Sequence, residues 1–300
     1  MLGSLAAAGS AVAADLPIRV VTSIPPLAML VSELGGDRVL VHSILPPGAD
    51  PHTFEPRPSD AAAVANADVI VSFGSSIDDW LGDVLAASDG AGIVRLDPEA
   101  TGQAGDHGDE CDPHVWLDPL WVREHAIAPI HRALAAADPE GAPRYGVSAR
   151  AMSEEMSDLE AEVREELALA STRSFLAWHP AWNRFAARFD LHPVGALGES
   201  EGREPSLRTM IAAVRLGRAA GVRAVLVEPQ TDGRHARVLA DELGVPLVTV
   251  DPLGSAWSLD RATYASLLRF NVHAFEQALA VVKPEEEAPV SAIPAPQAVR

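Results

Sequence analysis

This 300-residue chain has no second cysteine: Cys111 stands alone, so an internal disulfide is excluded and the redox compartment stays open. Positive charge is scarce as well. Twenty-three Lys and Arg face 42 Asp and Glu, a formal net charge of −19. Nucleic acid and anionic membrane surfaces repel such a polyanion, so neither is expected as a partner, whereas a cation is a better guess. No stretch approaches the ~20 apolar residues that a membrane span requires, so no membrane insertion is expected. No H-E-x-x-H metalloprotease signature occurs. What is present is 48% hydrophobic and 22% charged residues, enough apolar material for about two domains.

Residues 1–15 are small and apolar and finish on Ala11-Val12-Ala13, the pattern expected of a signal-peptide remnant, although a basic leading region is missing. With no cysteine beside that cleavage site, the expectation is a periplasmic protein without a lipid anchor. Beyond it, β-branched apolar runs alternate with helical patterns, which predicts parallel α/β units. Strands are expected at 18–22, 39–45, 69–73 and 93–96 in the first half, and at 174–178, 193–197, 224–228 and 247–250 in the second. Helices are expected at 26–34, at 59–66 with Ser59 and Asp60 as its cap, at 206–220 capped by Ser206, and at 233–243. Between the halves, Met152, Met156, Leu159, Val163 and Leu167 recur at helical spacing, which predicts one long connecting helix. The expected class is therefore α/β, two lobes each with a central parallel sheet, joined by a long rigid helix. Its divisions are an N-terminal lobe over 16–142, the linking helix over 143–171, a C-terminal lobe over 172–283 and a disordered Pro- and Glu-rich tail over 284–300.

Histidines beside prolines mark the chain at near-even intervals: Asp50-Pro51-His52, Asp112-Pro113-His114 and Trp178-His179-Pro180, with Asp251-Pro252 continuing the series. His52, His114, His179 and Asp251 follow one another at 62, 65 and 72 residues. Proline stiffens a turn and presents its neighbour outside a helix interior. Neutral imidazole is the commonest metal ligand, and three imidazoles with a carboxylate form a tetrahedral set for zinc. Each of the four falls after a predicted strand, where open α/β sheets bind ligands. His42, His107, His125, His131, His192, His235 and His273 lack that context and read as structural or exposed. The acidic, Gly-rich stretch from Gly102 to Cys111 reads as a loop, with weak cation capture as its sharper alternative.

The motif Leu45-Pro46-Pro47-Gly48-Ala49-Asp50-Pro51-His52-Thr53-Phe54-Glu55-Pro56, followed by Pro58-Ser59-Asp60, resembles the first ligand loop of the metal-binding solute-binding proteins of ABC importers. Asp112-Pro113-His114-Val115-Trp116-Leu117-Asp118-Pro119 resembles the second, and His179-Pro180-Ala181-Trp182 with Arg184-Phe185-Ala186 the third. Glu204-Pro205-Ser206 and Val250-Asp251-Pro252-Leu253-Gly254 complete a likeness covering about residues 17–280. The resemblance implies two α/β lobes on one long helix, with metal between them at His52, His114, His179 and Asp251. It also implies delivery to a membrane permease. Manganese carriers of this family place glutamate where His179 stands, so the resemblance points to the zinc branch. The chain departs from that branch in three ways: no His-rich loop precedes the second motif, Pro51 replaces an acidic residue before the first histidine, and one cysteine cannot form the disulfide some members carry. The fourth ligand then falls to Asp251 or a water.

The expected function is thus capture of one Zn2+ at a single high-affinity site by a monomer that is not an enzyme. Its expected partners are an ABC permease and, further, a zinc metallochaperone. The alternatives are a manganese or iron carrier on the same scaffold, and a three-histidine zinc hydrolase needing a base such as Glu199, Glu201 or Glu228.

Overall fold

The computed structural model describes residues 16–86, 88, 90–98, 112–196, 205–231, 233–254 and 258–279. The expected signal segment 1–15, the loop with His107 and Cys111, the residues Glu199, Glu201 and Glu204, and the tail 284–300 all lie outside these.

Apolar β-branched runs build the first sheet. In chain order the elements are β1 (Ile18–Thr22), α1 (Pro25–Gly35), β2 (Val39–Ser43), α2 (Pro58–Ala65), β3 (Val69–Ser72), α3 (Leu81–Leu85) and β4 (Gly92–Arg95). Helix α4 (Pro119–Trp121) continues through a π turn over Val122–Ala126 into α5 (Ile127–Ala137), and α6 (Ala142–Ala168) follows. The second half runs β5 (Ser174–Ala177), α7 (Asn183–Phe189), β6 (His192–Ala196), α8 (Leu207–Ala220), β7 (Val225–Val227), α9 (Arg234–Leu243), β8 (Leu247–Thr249) and α10 (Tyr264–Ala278). Each half folds as one four-stranded sheet, all its pairs parallel, in the orders β2-β1-β3-β4 and β6-β5-β7-β8. The two sheets share one topology, with a reversal of winding between β1 and β3 and again between β5 and β7. Such reversals open a crevice at the carboxyl ends of the strands.

Local signals explain most helix ends. Ser206 Oγ accepts from Thr209 N–H at 3.1 Å, and Gly221 and Gly244 close α8 and α9 in the left-handed region. Helix α2 begins one residue before the expected position. Pro58 occupies its first turn, where a missing N–H costs nothing, and Asp60 reaches back to accept the Arg57 N–H at 2.6 Å. Ser59 therefore sits inside the helix and does not cap it.

Helix α6 is 27 residues long, and Tyr145, Met152, Met156, Leu159, Val163 and Leu167 are buried along one face. That face belongs to a single apolar core that takes in Val20 and Leu27 of the first half and Phe175 and Phe275 of the second. Truncating a fully buried side chain here, such as Met156, costs about 2–5 kcal/mol. The linking helix is thus packed into both lobes along its length. Polar bonds add to this seam: Arg188 forks onto the Asp118 carboxylate at 2.8–3.1 Å. Trp116 Nε1 donates to the Pro252 carbonyl at 2.7 Å, and Tyr264 Oη donates to the Trp116 carbonyl at 2.6 Å.

Candidate metal centre

The two Asp-Pro-His motifs fold alike. Asp50 Oδ1 accepts the His52 N–H at 2.9 Å, and Asp112 Oδ1 accepts the His114 N–H at 3.0 Å. In each, the aspartate bonds the backbone two residues on, across a proline that cannot donate, and so fixes a tight turn that aims the histidine. His179 arrives differently. It comes two residues after β5, its predecessor Trp178 donates N–H to the Leu226 carbonyl at 2.9 Å, and the 3-10 turn Pro180–Trp182 starts behind it.

Three loops thus carry three imidazoles to one point. His179 Nε2 lies 3.2 Å from His52 Nε2 and 3.2 Å from His114 Nε2. The three ligand atoms all fall within 4.8 Å of one another. Nitrogens bonded at about 2.0–2.1 Å to one tetrahedral ion stand about 3.3 Å apart, so this spacing is that of a metal's coordination edge. The rings meet at 58° to 75° with no stacking, so their nitrogens converge while their faces diverge. His114 is further fixed by Asp112 Oδ1, 2.8 Å from its Nδ1. That contact places the ring proton on Nδ1 and leaves the Nε2 lone pair for the centre.

The electrostatics agree. Burial, then the charge His114 carries when protonated, lowers the His52 pKa, with Asp50 opposing. Burial, then His114 and His52, takes His179 down to about 2. These imidazoles hold the neutral, metal-ready form. Burial would raise the Asp112 carboxyl, but its bond to His114 and the charges of His114 and Arg184 carry it below the ordinary value.

Asp251 is not one of the three mutually close ligand residues among the described residues. It is buried just past β8, and its backbone is bracketed by Asn271, which accepts the Asp251 N–H and donates to its carbonyl, both at 2.7 Å. Its Oδ1 accepts from Leu253 N–H, Gly254 N–H and Gln230 Nε2 at 3.1, 2.9 and 3.2 Å, and Oδ2 faces Arg261 at 3.4 Å. The sheet-end rule points to this loop, whereas Gln230 and Arg261 carry no motif to betray them. Glu228, past β7, is buried with Oε1 lacking a hydrogen-bond partner. Burial, then the negative charge of Asp251, pushes it up to about 8, with the Trp182 indole opposing and Asp50 adding to the rise. His42, His125, His131, His192, His235 and His273 lie in β2, the π turn, α5, β6, α9 and α10, outside the cluster.

Residues 20–278 match the family model for the zinc-uptake complex component A, periplasmic. The chain belongs to this family. A member is a metal-binding component of an ABC uptake system, works outside the cytoplasm and is not an enzyme. The chain is 26% identical over 267 residues to the manganese-binding lipoprotein MntA of Halalkalibacterium halodurans, covering 87% of this chain and 88% of that one. It is also 26% identical over 282 residues to the zinc-binding lipoprotein AdcA of Streptococcus pneumoniae, covering 88% of this chain and 56% of AdcA. A zinc-bound crystal structure of a ZnuA 138–173 deletion mutant superposes with a TM-score of 0.76 at 27% identity, covering 89% of this chain and 100% of that one. No helix among the described residues is long and apolar enough to cross a membrane.

Proposed function

We propose that this family member carries zinc, held by His52, His114 and His179, with Asp251 as the residue that completes the set. The observation that supports it most is the 3.2 Å spacing of His179 Nε2 from each of its two partners. Two neutral lone pairs that close repel one another unless a proton or a metal cation lies between them, and the spacing matches the edge of a tetrahedral metal site. The donors that converge are all imidazole nitrogens, a set that suits borderline zinc better than manganese, which favours oxygen. The zinc-bound ZnuA relative is in keeping with this choice, while MntA keeps manganese as the competing cargo.

On this reading, the domain over 16–142 supplies His52 and His114. The domain over 172–283 supplies His179 and Asp251, and the 143–171 helix holds the two together. The chain captures the ion in the periplasm and hands it to an ABC permease. The packed seam along α6 leaves the ligand loops as the parts that yield on release. Histidine ligands must be neutral, so acid opposes capture.

Purified protein titrated with Zn2+ and Mn2+ against a chelating competitor tests the proposal. Zinc should bind at one site and exclude manganese, and His114→Ala should weaken zinc by more than about 100-fold, beyond what loss of an outer partner causes. An unchanged dissociation constant in His114→Ala, or tighter binding of manganese than zinc, overturns it.

A further inference from the structure

Building on the metal-site reading above, we propose that Arg261 sets the metal preference by sharing the one oxygen of Asp251 through which that carboxylate could meet a metal. Three donors already crowd Oδ1: the Leu253 N–H, the Gly254 N–H and the Gln230 amide. A carboxylate oxygen has about two lone pairs, so Oδ1 has none to spare for an ion. Oδ2 is the remaining route, and there Arg261 stands at 3.4 Å.

Arg261 is built into that place. Its guanidinium lies over the Phe270 ring, 4.5 Å from the centroid, and its terminal nitrogen bonds Ser258 Oγ at 3.4 Å. Its backbone N–H is tied to the Ser258 carbonyl at 3.1 Å. The loop it faces is equally constrained. Gly254 has φ +68°, and a side chain there would run into Met29 Cε at 2.6 Å and the Arg261 carbonyl at 3.1 Å. The Asp251 side chain is only 4% exposed and that of Arg261 21%, so water screens their attraction weakly.

A guanidinium and a divalent ion on the same oxygen repel each other, and the guanidinium draws off part of the charge the carboxylate would give. A metal that binds mainly through imidazole nitrogen loses little by this. A metal that relies on hard oxygen donors loses more. Arg261 thereby biases a shared scaffold toward nitrogen-loving ions, a positioning role exerted through Asp251 without touching the metal.

The test is a competition titration of the full chain with Zn2+ and Mn2+, comparing wild type with Arg261→Gln and Arg261→Met. The methionine variant keeps an apolar stem over Phe270, and thermal melts verify the fold of each. Removing the charge should narrow the zinc-over-manganese ratio by about tenfold or more, which is about 1.4 kcal/mol or more of relative affinity. The double variant Asp251→Asn with Arg261→Gln should lose that change, because the carboxylate is its only route. A ratio in both folded single variants within about twofold of wild type overturns the inference, since that is well under the tenfold step. An equal shift in the double variant overturns it too. A wild-type chain with no saturable zinc site instead sinks the metal-site reading beneath it, and the two failures are thus distinct.

Discussion

The Nδ1 of His114 lies 2.8 Å from Oδ1 of Asp112, the same oxygen that accepts the His114 backbone N–H at 3.0 Å. One carboxylate therefore sets both the backbone turn and the ring tautomer of the most buried member of the triad. Asp112→Asn keeps the shape and weakens the bond to the ring. Metal affinity should fall by about 10–100-fold, the usual loss for an outer partner of a ligand histidine. Competition titration measures it, and wild-type affinity in this variant would show that the ring needs no such support.

The metal-free protein should lose stability in mild acid. Burial lowers the His52 and His179 pKa values in the folded state, His179 to about 2, against an ordinary 6.5. Between those values the unfolded chain binds protons that the folded chain refuses, so stability falls as pH drops below about 6.5. Melting temperature against pH, with chelator present, should slope downward into acid, and His179→Gln should flatten the slope. A His179→Gln profile parallel to wild type would dissociate the effect from this ring.

Glu228 acts with the opposite sign. Burial, then Asp251, pushes its carboxyl up from 4.5 to about 8, so the folded chain retains a proton there that the unfolded chain has lost. Stability from this group declines as pH rises from about 4.5 to about 8 and is level beyond. Glu228→Gln, neutral at every pH, should be relatively more stable than wild type at pH 8 than at pH 5. Denaturant melts at the two pH values read the difference, and an equal gap at both would refute it.

The Asp118–Arg188 fork joins the segment after His114 to helix α7 of the other half. Asp118 is buried and also accepts the Leu120 and Trp121 N–H groups, so removing Arg188 leaves a buried charge with only backbone donors. Arg188→Ala should lower the unfolding free energy by about 2 kcal/mol in urea melts. It should leave metal affinity within a fewfold, since the fork lies outside the proposed ligand set.

Much of the architecture is legible in the sequence because burial repeats along the chain. Parallel strands buried on both faces read as apolar runs, as at Val69–Ser72 and Val225–Val227. The connecting helix shows its buried face through Met152, Met156, Leu159, Val163 and Leu167. Strand ends are less legible. Ile44 and Leu45 still donate to Thr22 and Ser23 of the neighbouring segment at 2.9 Å, although β2 stops at Ser43, so the expected strand runs two residues past the observed one. The start of α2 is ambiguous in sequence because both Ser59 and Asp60 can cap a helix, and the choice depends on the turn formed by Pro58.

By itself, then, the chain determined which histidines sit on stiffened turns at the carboxyl ends of strands, since proline geometry and strand periodicity are local properties. Only the tertiary structure decided how close His52, His114 and His179 come, at separations of 62 and 65 residues. Tertiary packing also decided that Asp251 is gripped by Gln230 and Arg261 and that Glu228 keeps its proton. Those outcomes depend on desolvation and on neighbours from distant segments, and neither has a period or a motif along the chain.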